Sequence, residues 1–485
     1  MCYKMLKNKY LLFYVRMDRM NRKKLIALLL SSLMTAGAVA SCSKPETDTP
    51  QVSAVTETVQ TEPPATSGTE AAEDLKGYLE LSVVPVSDED DGKIMIFGHN
   101  SEFVSLAEKY AGITSDDYDF IEVNDSKDYQ QKLDAVLSDG YGAPDIFTCD
   151  AAYARKYLAS DDTIAVNDLG IDYTECSEMF DYTLRFASDD KGVIKGLAWK
   201  AAPCGVFYER SVAEEYLGTS DPDELASSFA TWDAVMESAR KVNEASEGTV
   251  KLIPGYTEIY DAFLTGRDNG WIMDGTVNID PDIEGLFDYA KMLYTDDLTF
   301  SAEKWSDSWS EKMSDKTVVS YWGSLQFAKY QLALDPGEGI PVNPTSGDWG
   351  ITKGPADYFS GGSWVMASKY CDKKAAAAEM IRAVCINEDN LNDMVGRGEF
   401  VNNIKLMTAA AADDKFAFDW LGGQNPYPVL LYSALNSDAS LMTAGEDEYN
   451  RAFIAVVGAY CEGAFDTVNE AEDAFKEQVA GSGPG

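Results

Sequence analysis

Gly92-Lys93-Ile94-Met95-Ile96-Phe97, followed by Gly98-His99-Asn100-Ser101 and then Glu102 to Tyr110, reads as a buried strand, a tight turn and an amphipathic helix. The pattern then repeats. Ile121-Glu122-Val123 forms a second short strand, and Tyr129, Leu133, Val136 and Leu137 fall on one face of a second helix. Gly140-Tyr141-Gly142-Ala143-Pro144 breaks that helix, and Asp145-Ile146-Phe147-Thr148 begins a third strand. Strand, helix, strand, helix, strand is the order of a parallel sheet covered by helices on both faces. Ligands of such sheets sit outside the carboxyl ends of the strands. That rule selects residues 99–101 and Cys149-Asp150-Ala151-Ala152-Tyr153 as rim loops.

Upstream of this unit the chain carries an address. From Met20 it reads Asn21-Arg22-Lys23-Lys24, then the apolar run Leu25-Ile26-Ala27-Leu28-Leu29-Leu30, then small residues up to Val39-Ala40-Ser41-Cys42. The run is too short for a stable membrane span, which needs about 20 apolar residues. Its end resembles the lipobox of bacterial lipoproteins, whose cysteine receives diacylglycerol. Residues 1–41 are thus expected to be a signal peptide with the true start at Met20, and Cys42 the lipid site. From Cys42 to about residue 75 the chain is rich in Thr, Glu, Pro and Ser and nearly free of large apolar groups. Such a segment cannot bury enough surface to offset its ordering entropy, and it reads as a flexible tether.

The 485 residues leave about 410 for a folded body, enough for two lobes with separate cores. There are 40 basic and 81 acidic residues; eight of the former and one of the latter (Asp18) precede Cys42, leaving 32 against 80. That excess of carboxylates argues against nucleic acid and against a basic membrane-docking face. Six cysteines follow Cys42 (Cys149, Cys176, Cys204, Cys371, Cys385, Cys461), scattered and without CxxC spacing, so no zinc site and no particular pairing is indicated. The single histidine, His99, would have to carry any Ser-His-Asp or Cys-His chemistry, and nothing around it looks like a nucleophile elbow.

Further along, Leu197-Ala198-Trp199-Lys200-Ala201-Ala202-Pro203 leads into Gly205-Val206-Phe207-Tyr208, and Thr231-Trp232-Asp233-Ala234-Val235 opens a helix. Val318-Val319-Ser320-Tyr321-Trp322-Gly323 and Gly361-Gly362-Ser363-Trp364, with an Ala-rich helix after Ser368-Lys369, complete a series running through about 400 residues. In that order these segments are similar to the carbohydrate-type extracellular solute-binding proteins of ABC importers; beyond about Asn402 the likeness is loose.

The resemblance implies an α/β fold of two lobes, of the type II periplasmic-binding-protein kind, with parallel-rich sheets flanked by helices and a ligand cleft between the lobes. It implies a first lobe of residues 76–202 plus 361–402 and a second of 203–360 plus 403–485. Crossings between them would fall near residues 200–205, 357–361 and 400–404. The lobes would close about these hinges on a carbohydrate, an oligosaccharide above all, and deliver it to membrane permease subunits. The chain would act as a lipid-anchored monomer on the extracytoplasmic face, with no cofactor, no metal and no catalytic residue. A sugar site needs flat aromatic platforms and directional polar groups. The expected contacts are Asn100, Glu102, Asp150, Trp199, Tyr208, Tyr260, Asp261, Trp322, Gly362, Ser363, Trp364 and Tyr427. Two other readings stand beside this one: a binding protein for a polyamine or peptide, which an acidic cleft would suit, and a glycoside hydrolase built on paired carboxylates.

Overall fold

The computed structural model describes Tyr78 and residues 81–83, 85–89, 92–333 and 344–480. The expected leader, the Met20 start, the Cys42 lipid site and most of the tether lie outside the described residues. The strands in chain order are β1 (Ile94–Gly98), β2 (Tyr118–Glu122), β3 (Ile146–Asp150), β4 (Gly196–Lys200), β5 (Cys204–Glu209), β6 (Ile272–Met273), β7 (Thr276–Val277), β8 (Ser320–Ser324), β9 (Trp349–Thr352) and β10 (Ser363–Ala367).

The first sheet has the order β2-β1-β3-β10-β4. β1 pairs parallel with β2, Ile94 opposite Tyr118 and Gly98 opposite Glu122, and parallel with β3, Ile96 opposite Ile146. β10 inserts antiparallel between β3 and β4, Ser363 lying opposite Asp150 and Lys200. β2 begins three residues earlier than its apolar residues suggest, because it is an edge strand that buries little of either face. Between β2 and β3 the helix Ser126–Asp139 is capped by Asp125, whose carboxylate accepts from the amides of Lys127 and Asp128. It stops at Gly140, which adopts the left-handed conformation at φ 79°.

After β4 the chain crosses to a second sheet of order β8-β5-β9, then returns through residues 353–362 to β10. The two crossings lie side by side. Pro203 bridges Phe359, Cys204 N–H donates to the Tyr358 carbonyl at 2.9 Å, and Ser360 N–H donates to Ala202 O at 3.0 Å. A third strand of chain touches them where Val401 bridges Lys200. Among the named strands parallel pairing occurs in the first sheet; β5 is antiparallel to both neighbours in the second, and a parallel bridge joins Lys251 to Val318 just before β8.

The second sheet is buried on both faces. Val206, Tyr208 and Trp322 join one core with Phe229, Phe263 and the C-terminal helices, while Phe207, Tyr321 and Ile351 join another with Trp349 and Tyr427. The strand period of two thus sends neighbouring residues into different cores. The helix Glu446–Cys461 packs along the helix Pro281–Thr295, and its start also reaches the helix Ala151–Leu158 of the first sheet. All six described cysteines are unpaired and buried.

Candidate functional site

Outside the carboxyl end of β3 lies a cleft of about 880 Å³, bounded by both sheets' elements and by the crossing at Phe359, Ser360 and Gly361. From the first sheet it takes Asp150 and the helix Ala151–Leu158. Asp150 is that helix's N-cap, its carboxylate accepting the Ala152 amide at 3.0 Å. Burial pushes the Asp150 carboxyl upward, opposed by that hydrogen bond and by His99. Arg155, one turn on, is 8% exposed. Its guanidinium donates to the Met442 carbonyl at 2.9 Å, to Phe186 O at 3.1 Å and to Ser188 O, tying the loop before helix Glu446–Cys461 to the first sheet.

The opposite wall is built on Glu258, which is 1% exposed. Its two oxygens accept from Trp322 N–H and from the Trp309 indole, both at 2.6 Å. Lys304 donates to the Trp322 carbonyl at 2.9 Å and stands 3.9 Å from Glu258 and 3.7 Å from Asp261. Burial works against the Lys304 ammonium, but Glu258 and Asp261 outweigh it and hold the lysine charged. Asp261 in turn accepts from Ser360 Oγ at 3.0 Å, so the wall is joined to the returning crossing.

Next to Lys304 stands Trp305, 61% exposed and at φ 70°. A left-handed backbone at a bulky residue costs about 1–3 kcal/mol and persists only where its surroundings enforce it. Lys304 N–H is fixed to Thr257 Oγ at 2.8 Å on one side, and Ser306 caps the helix Asp307–Glu311 on the other. The Trp305 indole rests on Trp309 at 5.0 Å and on the edge of Phe327 at 5.8 Å. The ring thus touches two buried aromatics while the side chain borders the cleft. Tyr330, 47% exposed, lines the same space.

The cations of the cleft are engaged internally: Lys156 with Asp134 at 2.6 Å, Arg451 with Asp447 at 2.9 Å, Lys304 and Arg155 as described. The lining offers directional acceptors and donors, aromatic surface and no uncommitted positive charge among those four. This is an environment for a neutral polyhydroxylated molecule and a poor one for an anion.

Of the residues expected from sequence, Asp150, Tyr260, Asp261 and Trp322 line this cleft, with Gly361 beside Gly362. Trp322 is wholly buried, its indole between Phe229 and Trp232, so it contributes its backbone and offers no ring face. The others are elsewhere. Asn100 is exposed and caps the turn by accepting the Glu102 amide at 3.0 Å. Glu102 binds Lys200 at 2.5 Å and accepts the Trp199 indole N–H at 3.2 Å, which consumes both Glu102 and the buried Trp199. Tyr208 is buried under the second sheet and donates to Ser220 O at 2.8 Å. Gly362, at φ 108°, is needed because a Cβ would meet the Trp364 ring at 2.8 Å. Ser363 is in the ladder of β10, and Trp364 is wholly buried, 4.4 Å from Phe186. Tyr427 is wholly buried among Phe400, Phe416 and Phe418. Sequence reasoning missed Trp305, Tyr330, Lys304 and Arg155. Trp305 had a signal: in Glu303-Lys304-Trp305-Ser306-Asp307 it has no apolar neighbours with which to form a core pattern.

Residues 107–421 match the sequence profile of the family described as bacterial extracellular solute-binding protein. A search of curated proteins finds no match. Among solved structures, an extracellular solute-binding protein of family 1 superposes with a TM-score of 0.68 at 15% identity, covering 80% of this chain and 99% of its own. A cyclo/maltodextrin-binding protein complexed with maltotetraose gives 0.60 at 15% identity, over 81% of this chain and 99% of the other. The galacto-N-biose-/lacto-N-biose I-binding protein of an ABC transporter from Bifidobacterium longum gives 0.61 at 16% identity, over 81% and 98%. At such identities the likeness establishes the two-lobed fold and leaves the ligand to the site.

Proposed function

Because the chain belongs to the bacterial extracellular solute-binding proteins, we propose that it captures a neutral oligosaccharide in the cleft beside Trp305 and hands it to the permease subunits of an ABC importer. The observation that carries this reading is Trp305 itself. A 61%-exposed indole in a strained backbone, backed by two aromatic rings and bordering a cleft of about 880 Å³, is surface that folding alone gains nothing by exposing. A sugar ring's C–H face would cover it, while Asp150, Asp261 and neighbouring groups would take the hydroxyls. The structures with named glycans that share this fold support the same substrate class. Lobe closure would proceed about the paired crossings at Pro203 and Phe359. The lipid anchor at Cys42 would keep the receptor beside its permease.

The test is titration calorimetry against neutral oligosaccharides, with Trp305→Ala beside the parent chain. Saturable binding without product formation, weakened in the variant, supports the reading. A polyamine that binds where no glycan does would replace it with the acidic-cleft alternative, which Asp150, Asp261, Asp447 and Glu448 along the lining keep specific.

A further inference from the structure

Beside the main cleft is a smaller side pocket of about 100 Å³. Asp261, Phe359, Met442 and Asn450 line both, so the two spaces share a wall. The side pocket holds an unusual group. Arg267 is 7% exposed, binds Glu446 through Nη2, and its buried Nη1 has no hydrogen-bond partner among the described residues. A buried donor left without a hydrogen bond costs about 1–3 kcal/mol; the guanidinium's other contact is the Trp271 ring, 5.3 Å away.

Two neighbours point the same way. The Trp271 indole donates to Asn450 Oδ1 at 2.9 Å; an indole N–H can only donate, so it fixes the amide with its NH₂ turned away. No described residue accepts from that NH₂. Asp261 accepts from Ser360 through Oδ2, while its Oδ1 receives no hydrogen bond from a described residue. Arg267 lines the side pocket, and Asn450 and Asp261 line both spaces, so the combined lining carries two donors and one acceptor without a hydrogen-bond partner among the described residues. The rest of the side pocket is mixed: Leu264, Phe359, Ala439, Leu441 and Met442 give it an apolar wall, and Thr265 and Asp438 complete the lining.

From this arrangement we infer that the side pocket receives the acetamido group of an N-acetylated amino sugar. The group's carbonyl oxygen accepts from Arg267 Nη1 and the Asn450 amide, its N–H donates to Asp261, and its methyl lies on the apolar wall. A plain hydroxyl would leave that wall uncovered and at least one donor unpaired. A carboxylate would find the Arg267 charge already matched by Glu446 and would face Asp261 and Asp438, which also line the pocket. The inference rests on the carbohydrate reading and narrows it to a substituent.

The experiment compares glycans matched except at one carbon, bearing either 2-hydroxyl or 2-acetamido, in gluco- and galacto-configured oligosaccharides immobilised as an array and then titrated in solution. The parent chain is expected to prefer an acetamido member by at least about tenfold. Ala439→Leu, which fills the pocket and keeps the Arg267 side chain, should abolish that preference. Arg267→Lys keeps a cation beside Glu446 but removes Nη1 and should lower acetamido binding by about tenfold, with hydroxyl analogues nearly unchanged. Equal affinity for the matched pairs, or a preference that survives Ala439→Leu, overturns the inference while the carbohydrate reading stands. Binding to no glycan of either series overturns both.

Discussion

The tryptophans differ sharply in exposure, and under the proposed function that difference separates their roles. Trp305→Ala is expected to weaken glycan binding by about 1–3 kcal/mol and leave the melting temperature nearly unchanged, since the residue is 61% exposed. Trp364→Ala should do the opposite, costing about 3–5 kcal/mol of stability in a denaturant melt, because Trp364 is wholly buried against Phe186. The two could not be ranked correctly from sequence. Trp364 sits after paired glycines at a crossing, where a cleft residue would also sit, and whether its ring points inward depends on strand register. Trp305 is exposed because of a left-handed turn, which no periodicity announces. One titrating residue, Glu209, gives a prediction of definite sign. Burial pushes the Glu209 carboxyl up to about 8, since Lys316, the nearby cation, already binds Asp348 at 2.7 Å. A raised folded-state value means its protonated form is favoured: the stability it contributes is complete below the unfolded value near 4.5 and is lost as pH rises through about 8. Glu209→Gln should therefore gain on the parent chain across that window, by up to about 1.4 kcal/mol per pH unit, in melts taken from pH 5 to 9.

At the scale of elements, the strands of the first sheet were legible because β1 and β3 are buried apolar runs bounded by turn residues. The edge strand β2 was misplaced by a few residues for want of that pattern. In the second sheet both faces are buried, so the apolar segments 205–208 and 318–323 carry no alternation that says which of Phe207, Tyr208, Tyr321 and Trp322 faces which core. The start of helix Glu446–Cys461 escaped notice for another reason: it reaches the cleft through a contact with helix Ala151–Leu158, nearly three hundred residues earlier. Arg155 adds a tie to the loop just before that helix by holding the Met442 carbonyl. On ligand binding, amide exchange should slow in helix Ala151–Leu158 and in the first turn of helix Glu446–Cys461. Helix Lys374–Cys385, which packs on helix Glu102–Tyr110 and does not line the cleft, should be unaffected. Uniform slowing throughout the chain would indicate global stabilisation without a local latch.

For the whole molecule, the fold expected from a short strand–turn–helix unit and an ordered set of segments is the fold observed, two lobes joined by paired crossings. The site was less legible because it is assembled from residues 150, 261, 305, 360 and 450, whose proximity is a product of the crossings. The address at Cys42 makes a separate prediction. A Cys42→Ala chain should bind ligand unchanged in solution and appear in the culture medium in place of the membrane fraction. The central claim, that the cleft beside Trp305 is a glycan receptor, is tested most directly by a thermal melt of the purified chain with neutral oligosaccharides. At a hundredfold excess over Kd a true ligand adds about 2.7 kcal/mol, a clear upward shift that Trp305→Ala should lower by about 1 kcal/mol or more at the same concentration. A shift of equal size in the parent and in Trp305→Ala, or none with any glycan, would contradict the account.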